Sequence, residues 1–212
     1  LDQTYKNLEV IVVDDFSSED PSQIVSSFQS ERIRYIRLDK NYGKWKALNV
    51  GVENSNGDII TSHDADDVAL CQRIERQVMC MHATQTVHNL CGFYHCWNEE
   101  EVEKYKDLTL ESEISYIPHD KVREMVLKGW QHPSINHYYT GNFETAGCSG
   151  MFFKSVWDLG IRFNPPGKGL RVLLSEDSDF NFRVTSLVGK TSVLAEQVYC
   201  YRRNTSTNSE EM

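Results

Sequence analysis

The sequence is short of positive charge, of long apolar runs and of paired cysteines. Lys and Arg number 22 against 31 Asp and Glu, a formal net charge of -9 over 212 residues. That balance argues against nucleic acid or an anionic membrane surface as the main partner, because both require a basic face. It leaves room for a nucleotide, which needs only a few local donors and a cation. No apolar run reaches the roughly 18 residues of a membrane span, and the opening residues lack the pattern of a secretory signal. None of the six cysteines (Cys71, Cys80, Cys91, Cys96, Cys148 and Cys200) forms a C-x-x-C pair. Cys91 and Cys96 with His88 and His95 are poorly spaced for zinc. The expectation is therefore reduced, mostly buried thiols in a reducing cytoplasm. No internal repeat, low-complexity linker or domain boundary interrupts the chain, and no Gly-rich phosphate loop marks its N-terminal part.

What is present is an alternation of strands and helices. Leu8–Val13 is a continuous β-branched run ending in Asp14-Asp15, the pattern of a strand buried on both faces of a parallel sheet. Ile24, Val25 and Phe28 form a helical stripe after Ser17–Pro21, and Ile33–Leu38 alternates as a strand. A helix runs from Lys44 to Asn56-Gly57, and Asp58–Ser62 is the next strand. Ile74, Val78 and Met81 mark a further helix, and Leu90–Trp97 a strand. This order predicts an α/β domain with a largely parallel sheet, whose ligands sit at the carboxyl ends of the strands. Asn98–Glu113 is strongly charged and reads as a solvated excursion or hairpin. The stretch "GWQHPSINHYYTGNFETAGCSG" reads as functional loops in which Trp130, His132, His137, Tyr138 and Tyr139 are able to stack on sugars, although aromatics more often pack. A late helix carries Phe180, Val184 and Leu187, and a late strand spans Val193–Tyr201.

"ITSHDADDV" places Asp64, Asp66 and Asp67 directly after a strand. Two carboxylates at i and i+2 on a turn can share one hard cation, Mg²⁺ or Mn²⁺, which offsets their repulsion. The plain alternative is a solvated turn, where Asp is common. A calcium loop matches Asp64, Asp66 and Glu75 but has Ala69 at its central glycine and Val68 at position five, so it does not form well.

The ordered pieces "LDQTYKNLEVIVVDDFSSED", "NYGKWKALNVGVENSNGDIITSHDADD", "RIERQ", "SEDSDF" and "YCYRRN" resemble the family 2 glycosyltransferases, with the middle of the chain matching least. The resemblance implies the GT-A fold: a Rossmann-like three-layer sandwich with a mostly parallel central sheet. It also implies one domain over residues 1–212, with a nucleotide-sugar half (1–97) and an acceptor and catalytic-base half (98–212). The family's first strand and its nucleobase loop are not represented, so the expectation is an N-terminally truncated fragment of a longer protein.

By the same resemblance, the protein is a metal-dependent, inverting hexosyl- or N-acetylhexosaminyl-transferase. The donor is a nucleotide-sugar, most simply a UDP-sugar, and the acceptor a hydroxyl of a glycan or a lipid-linked sugar, with membrane contact peripheral at most. Asp15 would bind the nucleobase with Asp14 supporting the strand end, and Lys44 would lie near the nucleotide. Asp66 would be the principal metal ligand; Asp64 would serve the metal through water or contact the donor. Asp67 would cap the following helix. Asp177, in the first turn of a helix capped by Ser175, would be the catalytic base, kept ionised by the helix dipole. Glu176, Asp179, Gly147 and Ser149 would lie on the acceptor side. Arg202 and Arg203 would bind the diphosphate, and Asn204 stands where the family carries a late His. For most of these residues the plain alternative is a cap, a turn or a solvated charge. Two other classes stay open: an inactive GT-A-like glycan- or nucleotide-binding module, and a sugar nucleotidylyltransferase.

Overall fold

The computed structural model describes residues 2–129, 137–139, 144–165, 167 and 175–203. Trp130, His132 and Asn204 lie outside them. The first part runs β1 (Val10–Asp14), α1 (Ser22–Ser27), β2 (Ile33–Arg37), α2 (Lys44–Glu53), β3 (Ile59–Thr61), β4 (Val68–Ala69), α3 (Arg73–Thr84) and β5 (His88–Cys96). There follow α4 (Glu99–Lys106), β6 (Tyr116–Ile117), α5 (His119–Gly129), β7 (His137–Tyr139) and β8 (Glu144–Ala146). A 3₁₀ turn at Gly147–Ser149 leads to β9 (Met151–Phe153), α6 (Ser155–Asp158), α7 (Glu176–Leu187) and β10 (Thr191–Arg202). No helix among the described residues is long and apolar enough to cross a membrane.

The α/β alternation is as expected, but the sheet is mixed rather than mostly parallel. The main sheet has the order β3-β9-β5-β10-β4, with β6 on β10 and the β7–β8 pair on β5. Among the described residues its one parallel pairing is β5 with β10; β9 runs antiparallel between β3 and β5. The reason is β9, which comes back from the second half of the chain and inserts between two strands of the first. Because β3 and β5 are both antiparallel to β9, β3, β5 and β10 point the same way and share one carboxyl-end rim. β1 and β2 pair in parallel as a separate two-stranded sheet.

Asn98–Glu113 also differs from its expectation, since Glu99–Lys106 is a helix. Asn98 accepts from the N–H of Glu101, and three glutamates in the first turn with two lysines in the last complement the helix dipole. Val102 and Tyr105 of α4 cover Cys96, Cys200 and Tyr94 on one face of the β5–β10 pair.

Beneath the rim, Phe152, Trp157, Phe163 and Phe180 form one cluster with Val52 of α2 and Val184 of α7. Phe180 stacks on Phe163 with 4.2 Å between ring centroids. Truncating such a buried ring to alanine costs about 3–5 kcal/mol, so Phe180 is the anchor that fixes α7, whose first turn carries Asp177. All six cysteines are free thiols and five are buried.

Candidate active site

Each expected acidic group stands where a strand or helix changes direction. α2 begins at Gly43, whose φ of 92° favours glycine. The first turn of α2 holds Lys44 and Lys46 and no acid, the wrong charge for a helix N-terminus. The tertiary structure supplies the reason for Lys44. Its ammonium lies 2.8 Å from Asp64, 3.4 Å from Glu176 and 3.6 Å from Asp177. Burial alone would pull the ammonium down, but Asp177, Asp64 and Glu176 together hold it above its ordinary value. Residues 44, 64 and 176–177 come from three separate elements, and this cation gathers them.

Asp177 is buried at the start of α7, with Ser175 at the N-cap as expected. Its Oδ1 accepts from the Ser175 hydroxyl at 2.5 Å and the Ser178 N–H at 2.6 Å, which leaves Oδ2 toward Lys44. Gly147 makes this fit possible, because a Cβ there would stand 2.9 Å from Asp177 Oδ1 and 2.8 Å from Ser178 Oγ.

The turn after β3 is held from below. Arg73 is almost fully buried and has neutral acceptors around it. It donates to Thr61 Oγ1 (2.9 Å), the Ser62 carbonyl (3.0 Å) and Gln77 Oε1 (3.1 Å), and its guanidinium lies 4.7 Å from the centroid of the Tyr199 ring. The Tyr199 hydroxyl donates to Asp67 Oδ2 at 2.7 Å and accepts from the Asp64 N–H at 3.4 Å. The Arg202 N–H donates to Asp67 Oδ1 at 2.8 Å. Asp67 is therefore not a cap for α3, whose N-cap is Gln72; it ties the acidic turn to β10. Burial pushes Asp67 up to about 6, against the pull of Tyr199 and Arg202. Asp64 is also raised, by burial first and then by Asp177 and Asp66, with Lys44 pulling the other way.

Among the described residues, the group with metal-ligand spacing is Asp64, Asp67 and Cys148, whose ligand atoms lie within 4.8 Å of one another. Burial and the neighbouring carboxylates hold the Cys148 thiol well above its ordinary value, so it stays protonated and is a poor ligand. The Asp67 carboxylate already accepts three hydrogen bonds, from the Tyr199 hydroxyl, the Arg202 N–H and the Cys148 thiol. What remains is carboxylate oxygen, raised in pKa and short of positive charge, which suits a hard divalent cation. Asp66 is exposed and stands outside that group.

Several expected contacts are spoken for by the fold. Asp14 is buried against Ser17 N (2.8 Å), the Tyr35 hydroxyl (2.8 Å) and Arg37 (2.9 Å), so it supports the strand end. Asp15 accepts the N–H groups of Tyr42 (2.8 Å) and Gly43 (2.6 Å) and so fixes the start of α2. Ser149, expected on the acceptor side, is fully buried with its hydroxyl on the Cys91 backbone, and so faces the core. Asp179 is likewise buried, bonded to Arg183 and Asn164. Arg202 pairs with Glu99 at 3.1 Å, and Arg203 packs over Trp97 and Tyr201. Sequence reasoning missed Arg73 and Tyr199. Arg73 opens the family-like piece "RIERQ" and Tyr199 the piece "YCYRRN", but neither piece by itself says what these two side chains hold.

Comparison with known proteins bears on the family and the fold. The profile described as "Glycosyl transferase family 2" matches residues 1–160. Glycosyltransferase GlyA of Streptococcus pneumoniae is 30% identical over 210 residues, covering 94% of this chain and 27% of GlyA. The crystal structure of Staphylococcus aureus TarS 1–349 in complex with UDP-GlcNAc superposes with a TM-score of 0.66 at 15% identity, covering 100% of this chain and 54% of that one. The mannosyltransferase PcManGT of Pyrobaculum calidifontis, in complex with GDP-Man and Mn²⁺, superposes at 0.58 with 14% identity, covering 98% and 51%. These two structures share the fold. The chain spans about half the length of these solved structures and of the first curated relative, and less of GlyA.

Proposed function

This chain belongs to glycosyl transferase family 2, and from that premise we propose that it moves a sugar, with inversion, from a nucleotide-sugar to a hydroxyl of a glycan or lipid-linked acceptor. The donor is a UDP-sugar and the setting is the cytoplasm, at the inner face of a membrane when the acceptor is lipid-linked. The observation that carries this reading is the Lys44 ammonium within 3.6 Å of Asp64, Glu176 and Asp177, which brings the acidic turn and the first turn of α7 to one point. Residues 1–97 then do the donor work and residues 98–212 supply the base and the acceptor side.

Asp64 and Asp66 would hold Mn²⁺ or Mg²⁺, and when bound the cation would supply charge to neutralise the diphosphate and ease its departure. Asp15 and Lys44 flank the nucleotide, the first at the base and the second at the phosphates. Asp177 Oδ2 takes the proton from the acceptor hydroxyl as that oxygen attacks the anomeric carbon. The nucleoside diphosphate leaves from the opposite face, which gives inversion. TarS and PcManGT, with UDP-GlcNAc and with GDP-Man and Mn²⁺, lend the donor and metal classes their support. A second reading, a binding module without turnover, draws support from the exposed position of Asp66 outside the acidic group.

The test is thermal stability against UDP, GDP, CDP and dTDP, with and without Mn²⁺, beside Asp66→Ala. A ligand at a hundred times its Kd stabilises by about 2.7 kcal/mol, a shift of a few degrees. The expected result is a shift with UDP that needs both Mn²⁺ and Asp66. A shift indifferent to both removes the metal from the reading.

A further inference from the structure

We infer that the carboxyl ends of β5 and β10 carry an aromatic shelf that receives a pyranose ring of the acceptor; the inference rests on the transferase reading. The register pairs Phe93 with Tyr199 and His95 with Tyr201. Side chains two apart on a strand share a face. Phe93, His95 and Trp97 from β5 and its exit, with Tyr199, Tyr201 and Arg203 from β10 and its exit, therefore form one ladder. The other face of this strand pair is closed by α4. The ladder begins buried, with Tyr199 bonded to Asp67 and the Asp64 N–H. It ends roughly 13 Å further out with Trp97, which is 64% exposed.

The shelf is built rather than loose. The backbone N–H of Trp97 donates to Glu101 Oε2 at 2.6 Å, and Asn98 caps the helix that follows. The Arg203 N–H donates to the Cys96 carbonyl at 2.8 Å, which pins the two strand exits together. The Arg203 guanidinium bonds His95 Nδ1 at 3.1 Å and lies 5.0 Å from the Tyr201 ring centroid and 5.9 Å from that of Trp97. The His95 and Trp97 rings are stacked within 28° of parallel. An exposed indole with a guanidinium over one of its faces leaves the other face for a ring with one apolar C–H face and hydroxyls around its rim, which is a pyranose. Aromatic surface with a few placed polar groups is the usual make-up of a small-ligand site. Position agrees as well: Asp67 holds the backbone of Arg202, so the shelf leaves the acidic turn along the same rim.

The test is to follow the indole N–H resonances of the protein's four Trp by NMR, with that of Trp97 assigned by its loss in Trp97→Phe. Methyl α- and β-pyranosides of glucose, galactose, mannose and N-acetylglucosamine are titrated with UDP and diamagnetic Mg²⁺ present, to about 20 mM, well past a millimolar Kd. The expected result is a saturable shift of the Trp97 indole with at least one pyranoside. Trp97→Ala, read on neighbouring resonances, should weaken that titration about tenfold, and Trp97→Phe should restore part of it. If UDP binds and no pyranoside moves Trp97, or Trp97→Ala titrates unchanged, the shelf is overturned while the transferase reading stands. If pyranosides reach Trp97 and no nucleotide binds, the transferase reading fails and the acceptor role falls with it.

Discussion

β1 ends in Asp14-Asp15 and β3 leads into Asp64–Asp67, and the protein treats these two acidic strand ends in opposite ways. At Asp14, burial raises the carboxyl, but Ser17, Tyr35 and Arg37 outweigh it and hold the group below its ordinary value. At Asp64, burial, Asp177 and Asp66 outweigh Lys44, and the group is raised. At the first end, Asp14 is compensated by its own neighbourhood and serves the fold. The second is left short of positive charge. Carboxylates kept in that condition at a rim mark a functional site more often than a structural one, and the folded state carries the cost.

The comparison can be broken most sharply at Asp177. Replacing it with Asn should lower sugar transfer by about 10²–10⁴-fold while UDP binding, followed by titration, stays in place; undiminished turnover would strip Asp177 of the role of base. Next comes acid stability. His88 is fully buried between Thr191 and Asn181, and burial pulls it down to about 4 from 6.5. The unfolded chain takes up a proton below 6.5 that the folded one refuses until about 4, so stability is lost as pH falls through that window. The loss is about 3 kcal/mol, and denaturant curves of His88→Gln should lack it. Asp14 behaves differently: its stabilisation is present above 3.8 and is lost only as pH falls below it. His88 and Asp14 thus titrate in separate ranges. The smallest effects carry the sharpest contrast. Asp14→Asn should destabilise by about 1–3 kcal/mol, whereas Asp64→Asn without metal should stabilise by about 0.5–1 kcal/mol. Equal signs in urea melts would erase the distinction between the two strand ends.

Much of this was readable from the residues, for reasons that also mark where reading stops. β1, α2, β3 and α3 follow from local periodicity, and the acidic turn from its position after β3. Ser175 as the cap of α7 is equally local. The helix at Glu99–Lys106 was legible too, since Asn98 and Glu101 carry the capping pattern, but its density of charge reads as solvated chain. What could not be read is long-range. Asp67 meets Tyr199 across 132 positions of sequence, and Ser149 finds its partner in Cys91. Arg73 serves the acidic turn only because α3 packs beneath it. The mixed sheet depends on where β9 inserts, which no local pattern encodes.

β1 and β2 remain a sheet of their own. They are joined to the rest through side chains: Glu9 accepts the N–H groups of Asn56 and Gly57, Asp15 those of Tyr42 and Gly43, and Val13 rests on Gly51. A hydrogen-bonded ladder couples the opening of one strand to its neighbour, and no ladder crosses this junction among the described residues. Native-state hydrogen exchange should therefore find β1 and β2 opening before β5 and β10. A nucleotide gripped at Asp15 beside one sheet and at Asp64 beside the other would fasten the two sheets together, so that binding it would also tighten its own site.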